Sequence, residues 1–362
     1  QRIVHAQLGT GIGVVRGVLE VGAPRNREFE QALGLEQRIV DHVAGVAIEQ
    51  RDALDAGRGV EHEVGQVRAA TMHLSRAPVA TPCGSIRTVP TPSAAMFTAL
   101  TLLPLVLGIA TQASEPPAPA LPAVASGRIE RLADFASTRI PPRNVDVWLP
   151  DGYPDAAPYA VLYMHDGQML FDADTTWNHQ EWKLDEVAGP LLADRTLRPF
   201  IVVGIWNGGP ARHAEYFPQE PFESLDAAQQ EAIYALGRAP GTALYSGKVY
   251  SDRYLAFLVE ELKPWVDSHF RVSGARDDTF VMGSSMGGLI SMYALAEYPE
   301  VFGGAACLST HWPGTFETKD NPVPPAFFAY IEKHFPEAGT HRVYFDHGTA
   351  TLDAMYPDLQ RQ

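Results

Sequence analysis

The residues with the clearest chemical potential are Ser285 and the glycines around it. The segment Gly283-Ser284-Ser285-Met286-Gly287 places a serine at the centre of a Gly-x-Ser-x-Gly motif. A serine hydroxyl is a poor nucleophile near neutral pH and needs a base beside it. The glycines permit a strained turn at which a strand and a helix crowd together and larger side chains would clash. These residue types at this spacing predict that Ser285 is a nucleophile.

Two flanking elements decide how the motif is interpreted. The apolar run Thr279–Met282 predicts a short buried strand, and Leu289–Ala296 predicts a helix that stops at Tyr298-Pro299. Strand, Gly-x-Ser-x-Gly and helix together form the nucleophile elbow of an α/β-hydrolase, in which the helix amides can hold an oxyanion. The alternative is an ordinary Gly-Ser loop, since the bare pattern arises by chance in roughly one chain in ten of this composition.

The remaining apolar segments predict the scaffold that must position this serine. Strands are predicted at Val145–Leu149, Tyr159–Met164, Phe200–Ile205, Phe302–Ser309 and His341–Asp346, and helices at Asp252–Phe270 and Pro325–Phe335. Continuous apolar strands separated by helices imply a mostly parallel sheet covered on both faces. The predicted fold class is therefore α/β.

Several further segments carry a family resemblance. They are Val161–Gln168 with Phe171-Asp172, Trp177, Asn207 with Arg212 and Glu215–Pro218, Gly283–Gly288, and Phe345–Asp353. Taken in order, they make residues 127–362 resemble the esterase-D/enterochelin-esterase-like branch of the α/β-hydrolases. That branch also includes feruloyl and acetylxylan esterases, S-formylglutathione hydrolases and mycolyltransferases. The resemblance does not cover residues 1–126.

The resemblance implies an α/β-hydrolase fold and a serine esterase. Such an enzyme acts through an acyl-enzyme on a small ester or on a siderophore- or carbohydrate-linked ester. An acyltransferase using the same residues is one alternative, and a non-catalytic binding protein on the hydrolase fold is another. The expected partner is a small-molecule ester in each catalytic case.

The acid and the base of a catalytic triad follow the serine in this fold, in the order Ser, Asp or Glu, His. The resemblance places the acid in the loop after the strand that ends at Asp346. We predict Asp353, which lies past the strand end where the loop can reach a histidine; Asp346 is the alternative, unless it merely caps a turn. No histidine occurs in residues 354–362. The sequence therefore predicts a C-terminally truncated domain whose catalytic histidine lies beyond Gln362.

Three other histidines receive different predictions. His311 precedes the acid in the chain and is predicted to lie at the rim of a pocket. His347 precedes Asp353 and would fit only if the acid were elsewhere. His165 is predicted to shape the turn His165–Gln168 and not to abstract protons.

An oxyanion hole needs two preorganised donors. We predict one at the backbone N–H of Met286 and the other at Gly167 or Gln168, in the loop after the Tyr159–Met164 strand. The alternative for this loop is an ordinary tight turn.

Residues for substrate binding are implied by the same resemblance. Asn207, Arg212 and Tyr216 match an element near the active-site mouth, and Arg212 is predicted to bind an anionic or phenolic group. The alternative is an Arg212–Glu215 ion pair that pins the loop. Trp312 and Trp177 are predicted either to wall a pocket or to fill the core.

Composition excludes several functional classes. The formal net charge of −15 disfavours a nucleic-acid partner, which would want a basic face. The two cysteines, Cys83 and Cys307, cannot build a disulfide framework or a thiolate metal site. The sequence shows neither a metal-ligand cluster nor a phosphate-binding Gly-rich loop, so no metal and no cofactor is predicted.

The N-terminal third differs from the rest. Residues 1–95 contain no lysine and one aromatic residue, Phe29. They are interpreted as a real, flexible or helical N-terminal extension or, preferably, as upstream sequence translated from a wrong start, since so few core residues cannot offset the entropy of ordering.

An export signal is predicted at residues 96–113. Met96–Ala110 is apolar and uncharged but too short to span a bilayer comfortably, and Ala110 or Ala113 offers a cleavage site. A Pro/Ala-rich linker, 114–126, precedes the esterase domain, 127–362. The mature protein is thus expected to be periplasmic or secreted without a stable membrane anchor; the alternative is a buried core helix.

Overall fold

The computed structural model describes residues 119–349 and 352–362 in full and the backbone of residues 15–17. Nearly all of the predicted extension 1–95, the predicted signal region 96–113 and the linker residues 114–118 lie outside the described residues. None of the described helices is both long enough and apolar enough to cross a membrane.

The central feature is a sheet of eight strands within the described part of the chain, in the order β1-β10-β9-β8-β4-β5-β3-β2. The strands of the described residues are β1 Val15–Gly17, β2 Arg128–Phe135, β3 Arg143–Leu149, β4 Ala160–His165, β5 Phe200–Ile205, β6 Gly237–Ala239, β7 Thr242–Ala243, β8 Thr279–Ser284, β9 Gly304–Leu308 and β10 Arg342–His347. Strands β10, β9, β8, β4 and β5 run parallel, and β1, β2 and β3 add antiparallel edges. Strands β6 and β7 form a separate two-stranded hairpin.

Helices connect these strands. The α-helices are α1 Leu184–Ala193, α2 Arg212–Tyr216, α3 Gln219–Glu223, α4 Ala227–Tyr234, α5 Ser251–Ala256, α6 Lys263–His269, α7 Met286–Glu297, α8 Val323–His334 and α9 Pro357–Arg361. A wider π-helical segment, Phe257–Leu262, joins α5 to α6. Short 3₁₀ turns occur at Gly167–Met169, Ala173–Thr175, Gly209–Ala211, Arg276–Asp278 and Asp353–Met355.

Two apolar clusters pack on the sheet because its strands alternate their side chains between the faces. Val161 and Tyr163 of β4 join the larger cluster with α5, α6 and α7. Met164 of the same strand joins the smaller cluster with Leu184 and Ala188 of α1. Helices therefore cover both faces, and the predicted α/β-hydrolase class with a mostly parallel sheet is confirmed.

The predicted strands and helices are present in the structure, but their first and last residues differ from the prediction. The segment predicted as one helix over Asp252–Phe270 is helical throughout, but its middle is the π-helical segment. Strand β2 was not predicted, because its residues alternate irregularly between partial and full exposure and carry no apolar run. Helix α7 is buried along almost its whole length, from Met286 to Ala296.

Residues 120–126 lie against the domain through backbone hydrogen bonds. The N–H of Ala123 donates to Asp172 Oδ2 at 2.8 Å, and the N–H of Ala125 donates to Asp185 Oδ2 at 2.5 Å. Ser126 Oγ donates to the carbonyl of Asp185 at 2.7 Å. This part of the predicted linker is thereby held beside α1.

Candidate active site

Ser285 occupies the sharp turn between β8 and α7. Its backbone has φ 62° and ψ −118°, a conformation that L-residues rarely adopt and that stores strain. Two neighbours hold the turn: the Ser285 N–H donates to the Leu308 carbonyl at 2.9 Å, and the His311 N–H donates to the Ser285 carbonyl at 3.2 Å. Ser285 remains partly exposed to solvent.

Close packing explains Gly283 of the motif and Gly288, the residue after it. A Cβ at Gly283 would lie 2.7 Å from the carbonyl group of Gly287, so the end of β8 and the first turn of α7 touch backbone to backbone. A Cβ at Gly288 would lie 2.9 Å from Thr310 Oγ1. The strand, turn and helix that the sequence predicts are thus present, and the glycines allow them to meet.

The turn after β4 adjoins this elbow. Strands β4 and β8 are parallel neighbours, so their carboxyl ends lie at the same edge of the sheet. A Cβ at Gly287 would lie 3.5 Å from Asp166 Oδ2 and 3.6 Å from His165 Cβ. The two segments predicted to supply the oxyanion donors are therefore brought together.

Gly167 and Gln168 are fixed by strand β5 and the loop after it. A Cβ at Gly167 would meet the backbone of Gly204 and Ile205 at 2.3 to 2.6 Å, which only glycine avoids. Gln168 Oε1 accepts a hydrogen bond from the N–H of Asn207 at 3.2 Å. The turn is thus held by contacts with β5 and the loop after it, as well as by its own chain.

The Asp166 carboxylate lies beside the elbow and accepts several hydrogen bonds. Arg212 donates to it from Nε and Nη2, both at 2.7 Å, and Asn207 Nδ2 donates at 2.7 Å. Burial alone would raise the pKa of Asp166, but Arg212 and Asn207 lower it below its ordinary value. The same contact raises the pKa of Arg212 against the opposing effect of burial. Asp166 is a fixed anion.

The alternative Arg212–Glu215 ion pair is wrong. Glu215 instead accepts from Arg143 Nη1 and Nη2 at 2.9 and 2.6 Å, and from the Tyr250 hydroxyl at 2.9 Å. Both members of the Arg143–Glu215 pair are buried. Sequence proximity suggested Arg212 as the partner, but Arg212 and Glu215 lie on one short helix, and the tertiary fold supplies a different partner to each.

His165 and Tyr216 are buried side chains that support the turn after β4. His165 is fully buried; its Nδ1 lies 2.8 Å from the Tyr254 hydroxyl, and burial lowers its pKa to about 3. The ring is therefore neutral, in line with the predicted turn-shaping role. Tyr216 is also fully buried, and its hydroxyl oxygen accepts from the Asp166 N–H at 3.3 Å. The structure thus corrects the prediction that Tyr216 binds substrate, because its side chain has no exposed surface.

Both candidate acids are buried near the carboxyl end of β10. Asp346 lies within the strand and accepts from the Ser309 N–H at 2.8 Å, which ties β10 to the end of β9. Asp353 lies past the strand end, where it accepts from the Gly348 N–H at 2.7 Å and from the Tyr356 hydroxyl at 3.1 Å. The structure places Asp353 in the loop, as the resemblance implied.

Neither nearby histidine is hydrogen-bonded to the Ser285 hydroxyl in the described part of the chain. His311 is buried, with Nδ1 3.3 Å from the Tyr356 hydroxyl and Nε2 2.9 Å from the Thr315 carbonyl. His347 is buried with no hydrogen-bond partner at Nδ1 among the described residues, and burial lowers its pKa. The Tyr356 hydroxyl thus connects His311 to Asp353.

The two predicted wall tryptophans differ in exposure. Trp312 is 5% exposed, packs against Phe328 and Phe345, and donates from Nε1 to Gln360 at 2.8 Å. It is a core residue, which corrects its assignment to substrate binding and fits the core-filling alternative. Trp177 is 64% exposed and lies in the loop before α1.

No sequence pattern identified Asp166 or Arg143 as a residue of the site. Asp166 was visible only as the middle of a His-Asp-Gly turn, and nothing local identified Arg212 as its partner 46 positions later. Arg143 had no signal beyond its place before an apolar strand. Among the described residues, no group of His, Cys, Asp and Glu side chains is arranged to hold a metal ion.

Comparison with known proteins identifies the family of the chain. The family model described as "Putative esterase" matches residues 140–354, which include the turn after β4, the elbow and Asp353. The chain belongs to this esterase family. The family membership that the sequence resemblance implied is thereby confirmed.

Individual relatives are distant. The chain is 23% identical over 172 residues to the uncharacterized protein YbbA of Bacillus subtilis, covering 47% of this chain and 58% of that protein. It is 25% identical over 223 residues to an endo-1,4-beta-xylanase/feruloyl esterase of Xylanibacter ruminicola, covering 58% of this chain and 26% of that protein. The chain thus spans about half and about a quarter of these two curated relatives. Enterochelin esterase from Shigella flexneri is similar over 63% of this chain and 48% of its own, with 20% identity and a TM-score of 0.42.

Proposed function

We propose that this protein is a serine carboxylic-ester hydrolase. The observation that best supports this proposal is the position of Ser285, which is partly exposed on a strained turn at the N-terminus of α7. Its hydroxyl oxygen attacks the ester carbonyl, its proton passes to a base and then to the leaving alcohol, and an acyl-enzyme forms. Water then repeats the attack, and the acid is released with the serine restored.

The oxyanion is held at the joint between the elbow and the turn after β4. The Met286 N–H begins α7, where the helix dipole favours negative charge. The second donor is the N–H of Gly167 or of Gln168. Support for this assignment comes from the contact of Gly287 with the His165-Asp166 pair, which brings the two segments side by side. Such donors are each worth roughly 3 to 4 kcal/mol of barrier.

Asp353 is the proposed triad acid. It occupies the loop position after β10, whereas Asp346 is used in tying β10 to Ser309. Neither His311 nor His165 is proposed as the base, because His311 has both ring nitrogens engaged and His165 is buried and neutral. The Asn207 and Arg212 side chains, which border the turn, line the approach to Ser285 in this proposal.

A small ester, or an ester attached to a siderophore or a carbohydrate, is the proposed substrate class. The enterochelin esterase and the feruloyl esterase among the similar proteins have names that cover both kinds of ester. We also propose export through the segment 96–113, on its composition alone.

The test is hydrolysis of p-nitrophenyl acetate and butyrate. The 362-residue chain is compared with its own variants. Ser285→Ala and Asp353→Asn should each lower kcat by about 10⁴-fold or more, as loss of triad members does. Ser284→Ala is the matched control, because it alters the neighbouring hydroxyl only. Turnover that survives Ser285→Ala rejects the proposal, and turnover lost in Asp346→Asn but not in Asp353→Asn reassigns the acid.

A further inference from the structure

We propose that Arg212 is a positioning residue whose charge prevents the Asp166 carboxylate from opposing the oxyanion. The inference rests on the proposed function, because it requires negative charge to develop beside Ser285. It assigns Arg212 a role other than binding an anionic substrate. The argument depends on where the Asp166 carboxylate lies, on what neutralises it, and on which edge of Arg212 is occupied.

The Asp166 carboxylate lies close to both segments that carry the proposed oxyanion donors. It is one residue before Gly167 in the chain, and its Oδ2 is 3.5 Å from where a Gly287 Cβ would stand. Gly287 follows Met286 in the first turn of α7. At a separation of about 6 Å and an effective dielectric constant of about 20, an unopposed unit charge would slow oxyanion formation roughly 100-fold.

Among the described residues, Arg212 is the cation that compensates this charge. The other groups facing Asp166 are His165, Tyr216, Tyr254 and Asn207. His165 is neutral because burial lowers its pKa to about 3. Burial raises the pKa of both tyrosines, which therefore stay protonated, and Asn207 is an uncharged amide. Without Arg212, the carboxylate would keep only neutral partners.

The geometry of Arg212 suits compensation better than substrate capture. Its Nε and Nη2 edge, which is the edge used for bidentate recognition of carboxylates, is already committed to Asp166 at 2.7 Å from each nitrogen. Its guanidinium also lies over the Tyr216 ring, with 5.1 Å from Cζ to the ring centroid. The side chain is 29% exposed.

The experiment measures turnover of the neutral ester p-nitrophenyl acetate by the full chain. Arg212→Gln should lower kcat roughly 100-fold, which is about 2.7 kcal/mol at 1.36 kcal/mol per tenfold. KM should stay within about threefold, because the charge develops only in the transition state. Arg212→Lys keeps the charge and should retain most of kcat. Asp166→Asn combined with Arg212→Gln should recover kcat, because both charges are then absent.

The pH profile gives a second readout. In Arg212→Gln, Asp166 loses its cation and burial raises its pKa, so its proton leaves only as pH rises. The kcat of this variant relative to wild type should therefore fall with increasing pH. The double variant should track the wild-type profile, because asparagine does not titrate.

A matched control removes a different buried arginine–carboxylate pair. Arg131 donates to Asp146 at 2.6 and 2.8 Å on strands β2 and β3, which lie four and three strands from β8 in the sheet order. Arg131→Gln should leave kcat unchanged.

Three outcomes overturn the inference. These are an unchanged kcat in Arg212→Gln, a double variant no faster than Arg212→Gln, and equal losses in Arg212→Lys and Arg212→Gln. The last result would indicate a purely geometric role. Turnover that survives Ser285→Ala is a separate result, since it rejects the proposed function itself.

Discussion

Replacing Glu215 by glutamine should destabilise the fold far more than removing an ion pair at the surface. The Glu215 carboxylate is fully buried, and the Arg143 side chain is 4% exposed. Burial alone would lower the pKa of Arg143, but the Glu215 contact raises it above its ordinary value. The pair is therefore charged inside the protein, and Glu215→Gln leaves the guanidinium uncompensated.

The magnitude follows from this burial. Breaking a buried pair by removing one partner costs about 3 to 5 kcal/mol, because the remaining charge stays desolvated. After the substitution Arg143 keeps the Trp206 carbonyl as a partner at 3.4 Å, which is long for a hydrogen bond. Glu215 also accepts from the N–H of Gly208 at 3.2 Å, so the loop before α2 should loosen as well.

Urea unfolding followed by tryptophan fluorescence measures the effect. At a slope of about 3 kcal/mol per molar urea, the midpoint should fall by roughly 1 to 1.7 M. The matched control is Glu130→Gln, which removes the exposed Arg128–Glu130 pair at 3.3 Å and should cost at most about 1 kcal/mol. If Glu215→Gln proves no more costly than Glu130→Gln, the reasoning from burial is refuted.

Two further predictions concern the elbow and the segment beside α1. Gly283→Ala places a Cβ 2.7 Å from the Gly287 carbonyl group and should lower both ester turnover and stability, the latter by about 1 to 3 kcal/mol in thermal melts. Gly247→Ala, with no atom within 4 Å of its Cβ, should change neither, and equal effects would contradict the packing argument. Burial raises the pKa of Asp185 to about 7, so its stabilising contribution is full below the ordinary carboxyl range near pH 4 and is lost as pH rises through about 7. Asp185→Asn should flatten that loss in stability measured from pH 5 to 8, and an unchanged slope would count against it.

Local pattern was enough to predict the strands β4, β5 and β8 and the helix α7. Their residues are mostly apolar, and such runs signal burial wherever the chain places them. The elbow was predictable for the same reason, because its glycines and serine are contiguous. Strand β2, with its mixed exposure, carried no comparable signal.

Charge pairing could not be predicted from the same patterns. Arg212 and Glu215 are three positions apart and of opposite sign, yet Arg212 pairs with Asp166 and Glu215 with Arg143. A buried charge selects the partner that the packed fold brings within bonding distance, and that distance depends on strand order. The burial of Tyr216 and Trp312 likewise follows from neighbours remote in sequence.

The sequence by itself predicted a nucleophile at Ser285 and determined the class of fold that carries it, because both depend on residues adjacent in the chain. Only the tertiary structure decided that the turn after β4 meets the elbow, that Arg212 pairs with Asp166, and that Glu215 pairs with Arg143. These arrangements depend on the parallel alignment of β4, β8, β9 and β10, which brings together the ends of strands separated by many residues. The physical reason is that hydrogen bonds and ion pairs act over a few ångströms in space, whatever the distance along the chain.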